Sequence, residues 1–117
     1  MPEFMMLIAD NEEERTKLPA SEIADSYAKV GAWWAERERE GKIVSGFGRR
    51  LQPSATARTV RVERANAVVT DGPFVETREV IGGFGIIDVP DMQAAVEMLK
   101  TWPGLHVTIE IRPVLTG

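Results

Sequence analysis

The chain has no cysteine and a single histidine, His106, among its 117 residues. The first absence excludes disulfides, a thiolate nucleophile, iron–sulfur clusters and cysteine-ligated zinc. With one imidazole, a histidine-rich metal site within one chain is not expected either, and the residues suggest neither a metal nor a cofactor. Long apolar runs are lacking as well: none approaches the ~20 residues needed to span a bilayer. Nor does a charged segment lead into an apolar stretch at the N-terminus, as a secretory signal requires. These absences set the expectation of a cytoplasmic protein with no membrane partner. What is there suits a folded globular protein, with 44% hydrophobic and 27% charged residues, far from the composition of disorder. No linker or low-complexity segment divides residues 1–117, so a single domain is expected.

The net charge of −4 speaks against nucleic acid as a partner, and its distribution says more than its sum. Residues 1–48 carry ten acids and six bases, and residues 79–117 carry five acids and two bases. Residues 49–78 reverse the sign: Arg49, Arg50, Arg58, Arg61, Arg64 and Arg78 stand against Glu63, Asp71 and Glu76. Every base there is arginine, the side chain suited to bidentate capture of a carboxylate or phosphate. The competing reading is a solvated strand face that balances an acidic remainder.

Phe4, Met5, Met6, Leu7 and Ile8 form a continuous apolar run of the kind a strand buried on both faces shows. The polar residues 11–17 end it. Pro19 and Ser21 signal a helix start, Ile23, Tyr27, Val30 and Trp34 recur at helical spacing as a buried stripe, and Gly41 caps the end. Residues 42–51 read as a second strand whose Gly46 and Gly48 do not complete a dinucleotide fingerprint. Val60 and Val62 alternate in one arm of a hairpin with Asn66 near its turn. Residues 80–89 are a strand interrupted by Gly82, Gly83 and Gly85, where either a close approach or interface bulges would use the glycines. Met92, Ala95, Val96 and Leu99 mark a second helix, and Val107, Ile109 and Ile111 a final half-buried strand. The order is the ferredoxin-like βαββαβ plan with an inserted hairpin: an α+β domain with two helices on one face of an antiparallel sheet. Nothing in so short a chain covers the other face, so a homodimer that closes two sheets into an α/β barrel is expected.

The densest chemistry lies in residues 71–79, DGPFVETRE. Asp71-Gly72-Pro73 forces a turn, because glycine tolerates positive φ and proline lacks a donor. Asp71 then has two readings: an acceptor for turn N–H groups, or a general base at the mouth of a cleft. Phe74, Glu76, Arg78, Arg50, Arg61 and Phe84 are candidate ligand contacts, and His106 is the only imidazole available for acid–base work.

This stretch resembles the DGPF motif of the YCII-related proteins, written there DGPFAETKE, with Val75 for Ala and Arg78 for Lys. The likeness extends to TARTVR at residues 56–61, to Gly82-Gly83-Phe84 and to EIRPV at residues 110–114, and so to nearly the whole chain. It implies a dimeric α/β barrel. The wider group resembles small barrel enzymes such as muconolactone isomerases, and a His/Asp pair has been suggested as the active site of some members. Here the first helix has no histidine, so that pair does not carry over. DGPF proteins are also often encoded beside extracytoplasmic-function sigma factors. Two functions are therefore expected as alternatives: binding or transforming a small anionic metabolite in a cleft near the motif, or dimeric regulation through a sigma-factor partner.

Overall fold

Residues 4–8, the unbroken apolar run, lie in an inner strand of the sheet, flanked by a strand on either side. In the computed structural model, which describes residues 2–74 and 78–116, they belong to β1 (Glu3–Asn11). β1 pairs antiparallel with β5 (Glu79–Asp88) on one side and with β6 (Thr108–Pro113) on the other. A short β2 (Arg49–Arg50) extends the sheet beyond β5, giving the order β2-β5-β1-β6. The strands β3 (Arg58–Glu63) and β4 (Asn66–Asp71) form a separate two-stranded sheet. The helices are α1 (Glu12–Thr16), α2 (Ala20–Arg39) and α3 (Met92–Leu99). With α1 and the hairpin set aside, the order and the antiparallel sheet match the ferredoxin-like α+β plan.

The register explains why both helices lie on one face. Phe4 stands opposite Ile87, and these two join Met6 and Val89 in a core completed by Trp33 of α2 and by Ala95, Met98 and Leu99 of α3. Met6 and Ile87 are 0% exposed, and burying a side chain of that size contributes about 1.5–3 kcal/mol. The Trp33 indole N–H donates to Thr101 Oγ1 at 2.8 Å, and its ring meets Trp102 edge-on with 5.3 Å between centroids. One tryptophan thus fastens α2 to the end of α3.

Three local expectations change. Residues 11–17 do more than end β1: the Asn11 side chain accepts the Glu14 N–H at 3.0 Å, and Glu12, Glu13 and Glu14 occupy the positive end of α1. The strand expected over residues 42–51 shrinks to Arg49–Arg50 plus an isolated bridge from Ile43 to Ile87, because Gly46 takes φ 85° and turns the backbone out of register. On α2 the buried position is Trp33, while Ile23, Tyr27, Val30 and Trp34 line a cleft.

The glycines of β5 are explained by that same helix. A Cβ on Gly85 would stand 2.6 Å from Met6 Cε and 2.7 Å from Trp34 Cη2, and one on Gly48 would run into the Trp34 ring. The close approach read from the sequence is made by the chain's own indole, which lies between Gly48 and Gly85.

The hairpin turns on Arg64, at φ 56°, and is closed at its open end by Gly72. Gly72 has φ 91°; its N–H donates to Ala57 O at 2.8 Å, and its carbonyl accepts from Thr59 Oγ1 at 2.7 Å. Gly72→Ala should therefore destabilise the hairpin by about 1–2 kcal/mol, the cost of a left-handed backbone with a Cβ. Faster amide exchange in β3 and β4, with β1 and β5 unchanged, is the readout.

Candidate functional site

α2 does not lie flat on the sheet along its whole length. Its C-terminal half is held by Trp33, whereas its N-terminal half stands off β1 and β5 and leaves a cleft of about 1020 Å³. One wall is the stripe Ile23, Tyr27, Val30 and Trp34, and the floor is Ile8 with Gly82 and Gly83. The helical spacing that sequence reading assigned to the core therefore serves an open surface, and half-burial is what both have in common.

Polar groups gather at one end. The Arg15 guanidinium donates to Asp10 Oδ2, with side-chain exposures of 29% and 12%. Asp10 Oδ1 is buried and has no hydrogen-bond partner, and it sits beside Gly82, where an added Cβ would come within 3.4 Å of it. An unpaired buried acceptor costs about 1–3 kcal/mol, so this carboxylate is held in place against its own preference for water. Next to it, Glu12 accepts both the N–H and the hydroxyl of Ser54, which ties the root of the hairpin to α1. Glu79, the last residue of the DGPFVETRE stretch, accepts from Thr108 Oγ1 at 3.0 Å at the rim.

The cations are arranged differently. The Arg50 guanidinium lies over the Tyr27 ring at 3.8 Å from its centroid. Arg49 donates to the carbonyls of Gly48 at 2.7 Å and Gly46 at 3.5 Å. Neither has a carboxylate partner among the described residues. A guanidinium stacked on an aromatic face keeps its N–H edge available for a planar anion.

The residues named from sequence do not converge on one place. Arg50 and His106 line the cleft. Asp71 is at the base of the hairpin, opposite Arg58 at 3.5 Å, with 88% of its side chain exposed, and it accepts no backbone N–H among the described residues. Arg61 lies over Phe74 at 5.6 Å from the ring centroid, and Phe74 is 69% exposed. Arg78 is exposed as well. Phe84 stands opposite Leu7 on the sheet face away from the helices. Glu76 lies outside the described residues. Asp10, Arg15 and Glu12 went unmarked in the sequence; the one signal for them was an acidic residue ending a strand just before a charged helix start.

Among the described residues no group of three or more His, Cys, Asp or Glu side chains is arranged to hold a metal, and no helix is long and apolar enough to cross a membrane. The chain is 27% identical over 106 residues to an uncharacterised protein of Rhizobium meliloti (strain 1021), a match that covers 88% of this chain and 76% of the relative. A family model for the YCII-related domain matches residues 3–116. The chain belongs to the YCII-related domain family.

Proposed function

We propose that this protein binds a small anionic metabolite in the cleft between α2 and the sheet, with Arg50 as the anchor for the anion. The observation that carries this reading is the Arg50 guanidinium, stacked on Tyr27 at 3.8 Å and without an ion pair among the described residues, at the rim of a cleft of about 1020 Å³. The acids of the cleft are mostly occupied: Asp10 by Arg15, Glu12 by Ser54, Glu14 by Lys17 and Glu79 by Thr108. The arginine edge is therefore the polar feature best able to take a new partner. The apolar stripe beyond it suits the body of a carboxylic acid, and His106 adds an imidazole at the rim.

Calorimetric titration and thermal shift with small aromatic and aliphatic carboxylates test this. At least one acid should bind and stabilise the protein. Arg50→Ala should weaken that binding about 10- to 100-fold, the loss of one charge-assisted contact of about 1.5–3 kcal/mol. Tyr27→Leu should weaken it less, by the smaller cation–π contribution. If no acid stabilises the protein at millimolar concentration, or if Arg50→Ala binds as well as the parent, the reading fails.

A further inference from the structure

We propose that the acid held by Arg50 also carries a hydrogen-bond donor, a hydroxyl or an ammonium group, and that Asp10 Oδ1 receives this donor over the bare backbone of Gly82. The proposal rests on the reading of the cleft as the site of a carboxylic acid, and it names the class of acid. Arg15 engages Asp10 through Oδ2. Oδ1 is buried and has no hydrogen-bond partner among the described residues, although Asp10 lines the cleft. A carboxylate is an acceptor on both oxygens, so half of this one is left without the contact that water gives it in the unfolded chain. A donor on the ligand supplies what the chain does not.

The backbone beside that oxygen is open. Ile8 stands opposite Gly83 and Ala9 opposite Ile81, so Gly82 is the extra residue of a bulge in β5. Its carbonyl accepts the Leu51 N–H at 2.7 Å, which fixes it from the β2 side. A Cβ on Gly82 would stand 3.4 Å from Asp10 Oδ1 and 3.9 Å from Asp10 Cγ, and its own chain neighbours aside, no other described atom comes within 4 Å of it. Gly82 is not among the glycines of positive φ, so its backbone does not require a glycine. Gly48 and Gly85 make room for the chain's own Trp34 ring. Gly82 leaves its room to the cleft, which it lines.

The strand register sets this opening beside the anion anchor. Arg50 and Ile8 stand opposite Gly83 from its two sides, and residues opposite one another share a face of the sheet. Asp10, two positions beyond Ile8 on β1, returns to that face, and Arg50 and Asp10 both line the cleft. Two strand spacings, about 10 Å, separate the backbones of β2 and β1. Asp10 Oδ1 narrows that gap, because it stands beside Gly82 of the strand between them. An acid of a few carbons spans it, with its carboxylate on the guanidinium and its donor above Gly82, where no side chain intervenes.

Calorimetry on two sets of acids tests this: butyrate against β-hydroxybutyrate and β-aminobutyrate, and phenylpropionate against phenyllactate and phenylalanine. In at least one set a donor-bearing acid should bind about 10- to 100-fold more tightly than the plain acid, as a hydrogen bond to a charged acceptor provides. The hydroxyl and ammonium arms show which donor fits. Asp10→Asn should abolish the preference, because an amide has one oxygen, Arg15 takes it, and the NH2 group is left facing the donor. Gly82→Ala should abolish it as well, by filling the opening with a methyl group. Its melting temperature should stay close to the parent's, since the new carbon meets Asp10 at ordinary contact distance, and it decides the matter should Asp10→Asn fail to fold. Plain acids that bind through Arg50 as tightly as their substituted counterparts would overturn the proposal and leave the anchor standing. A preference that survives Gly82→Ala would overturn it too. If no acid of either kind binds, the anchor and the donor site fall together.

Discussion

Valine in place of Gly85 should destabilise this protein by about 3 kcal/mol or more, and alanine there by about 2 kcal/mol, as expected when a packed core is made to accept extra carbon. The site leaves no slack. The first added carbon would stand 2.6 Å from Met6 Cε and 2.7 Å from Trp34 Cη2, and Met6 is 0% exposed with strands on both sides. Met6 and Trp34 must both shift, and shifting Trp34 disturbs Gly48 across the β2–β5 pair. The cause is testable by compensation. Trp34→Phe removes the benzo carbons nearest Gly85, so the cost of Gly85→Ala should fall by at least half in that background, measured by urea melts and a double-mutant cycle. Simple additivity would show that the glycine is needed for some other reason.

Arg15→Ala should cost about 2–4 kcal/mol, far more than loss of a surface ion pair. An exposed pair contributes about 0–1 kcal/mol, but removing one partner of a buried pair leaves a charge without compensation and costs about 3–5 kcal/mol. The Asp10 side chain is 12% exposed, and its Oδ1 already lacks a hydrogen bond, so without Arg15 neither oxygen retains a partner among the described residues. Partial exposure of Arg15, at 29%, moderates the effect. Arg15→Ala in an Asp10→Ala background should be nearly neutral, because the group that needed the arginine is gone. A cost below about 0.5 kcal/mol for Arg15→Ala alone would place the pair with the weak surface pairs.

These two sites show how far the sequence reading reached. Gly85 was marked for either a close approach or an interface bulge, and a close approach is found; its partner, Trp34, lies 51 positions earlier in the chain, and no local pattern links the two. The Asp10–Arg15 pair was not marked at all, because it forms where β1 gives way to α1 and only the bend between them brings the side chains together. Ile23, Tyr27, Val30 and Trp34 were placed on one face of a helix, as found. Periodicity tells that a face is apolar, but not whether core or an open cleft lies against it. The DGPFVETRE stretch was read as a turn between a hairpin and a glycine-rich strand, and Gly72 and β5 bear this out. Its charged side chains at Asp71 and Arg78 face solvent, and among its described residues Glu79 lines the cleft.

The order of strands and helices, the antiparallel sheet with its helices on one face, the inserted hairpin and the family are properties of this sequence by itself. They depend on hydrophobic period, turn residues and caps, which act within a few positions of one another. Tertiary structure alone decided which half of α2 is buried, which arginine stacks on an aromatic ring at an open cleft, and that the hairpin forms a sheet of its own. Each of these depends on where segments far apart in sequence come to rest, and that is settled by packing volume and charge in three dimensions.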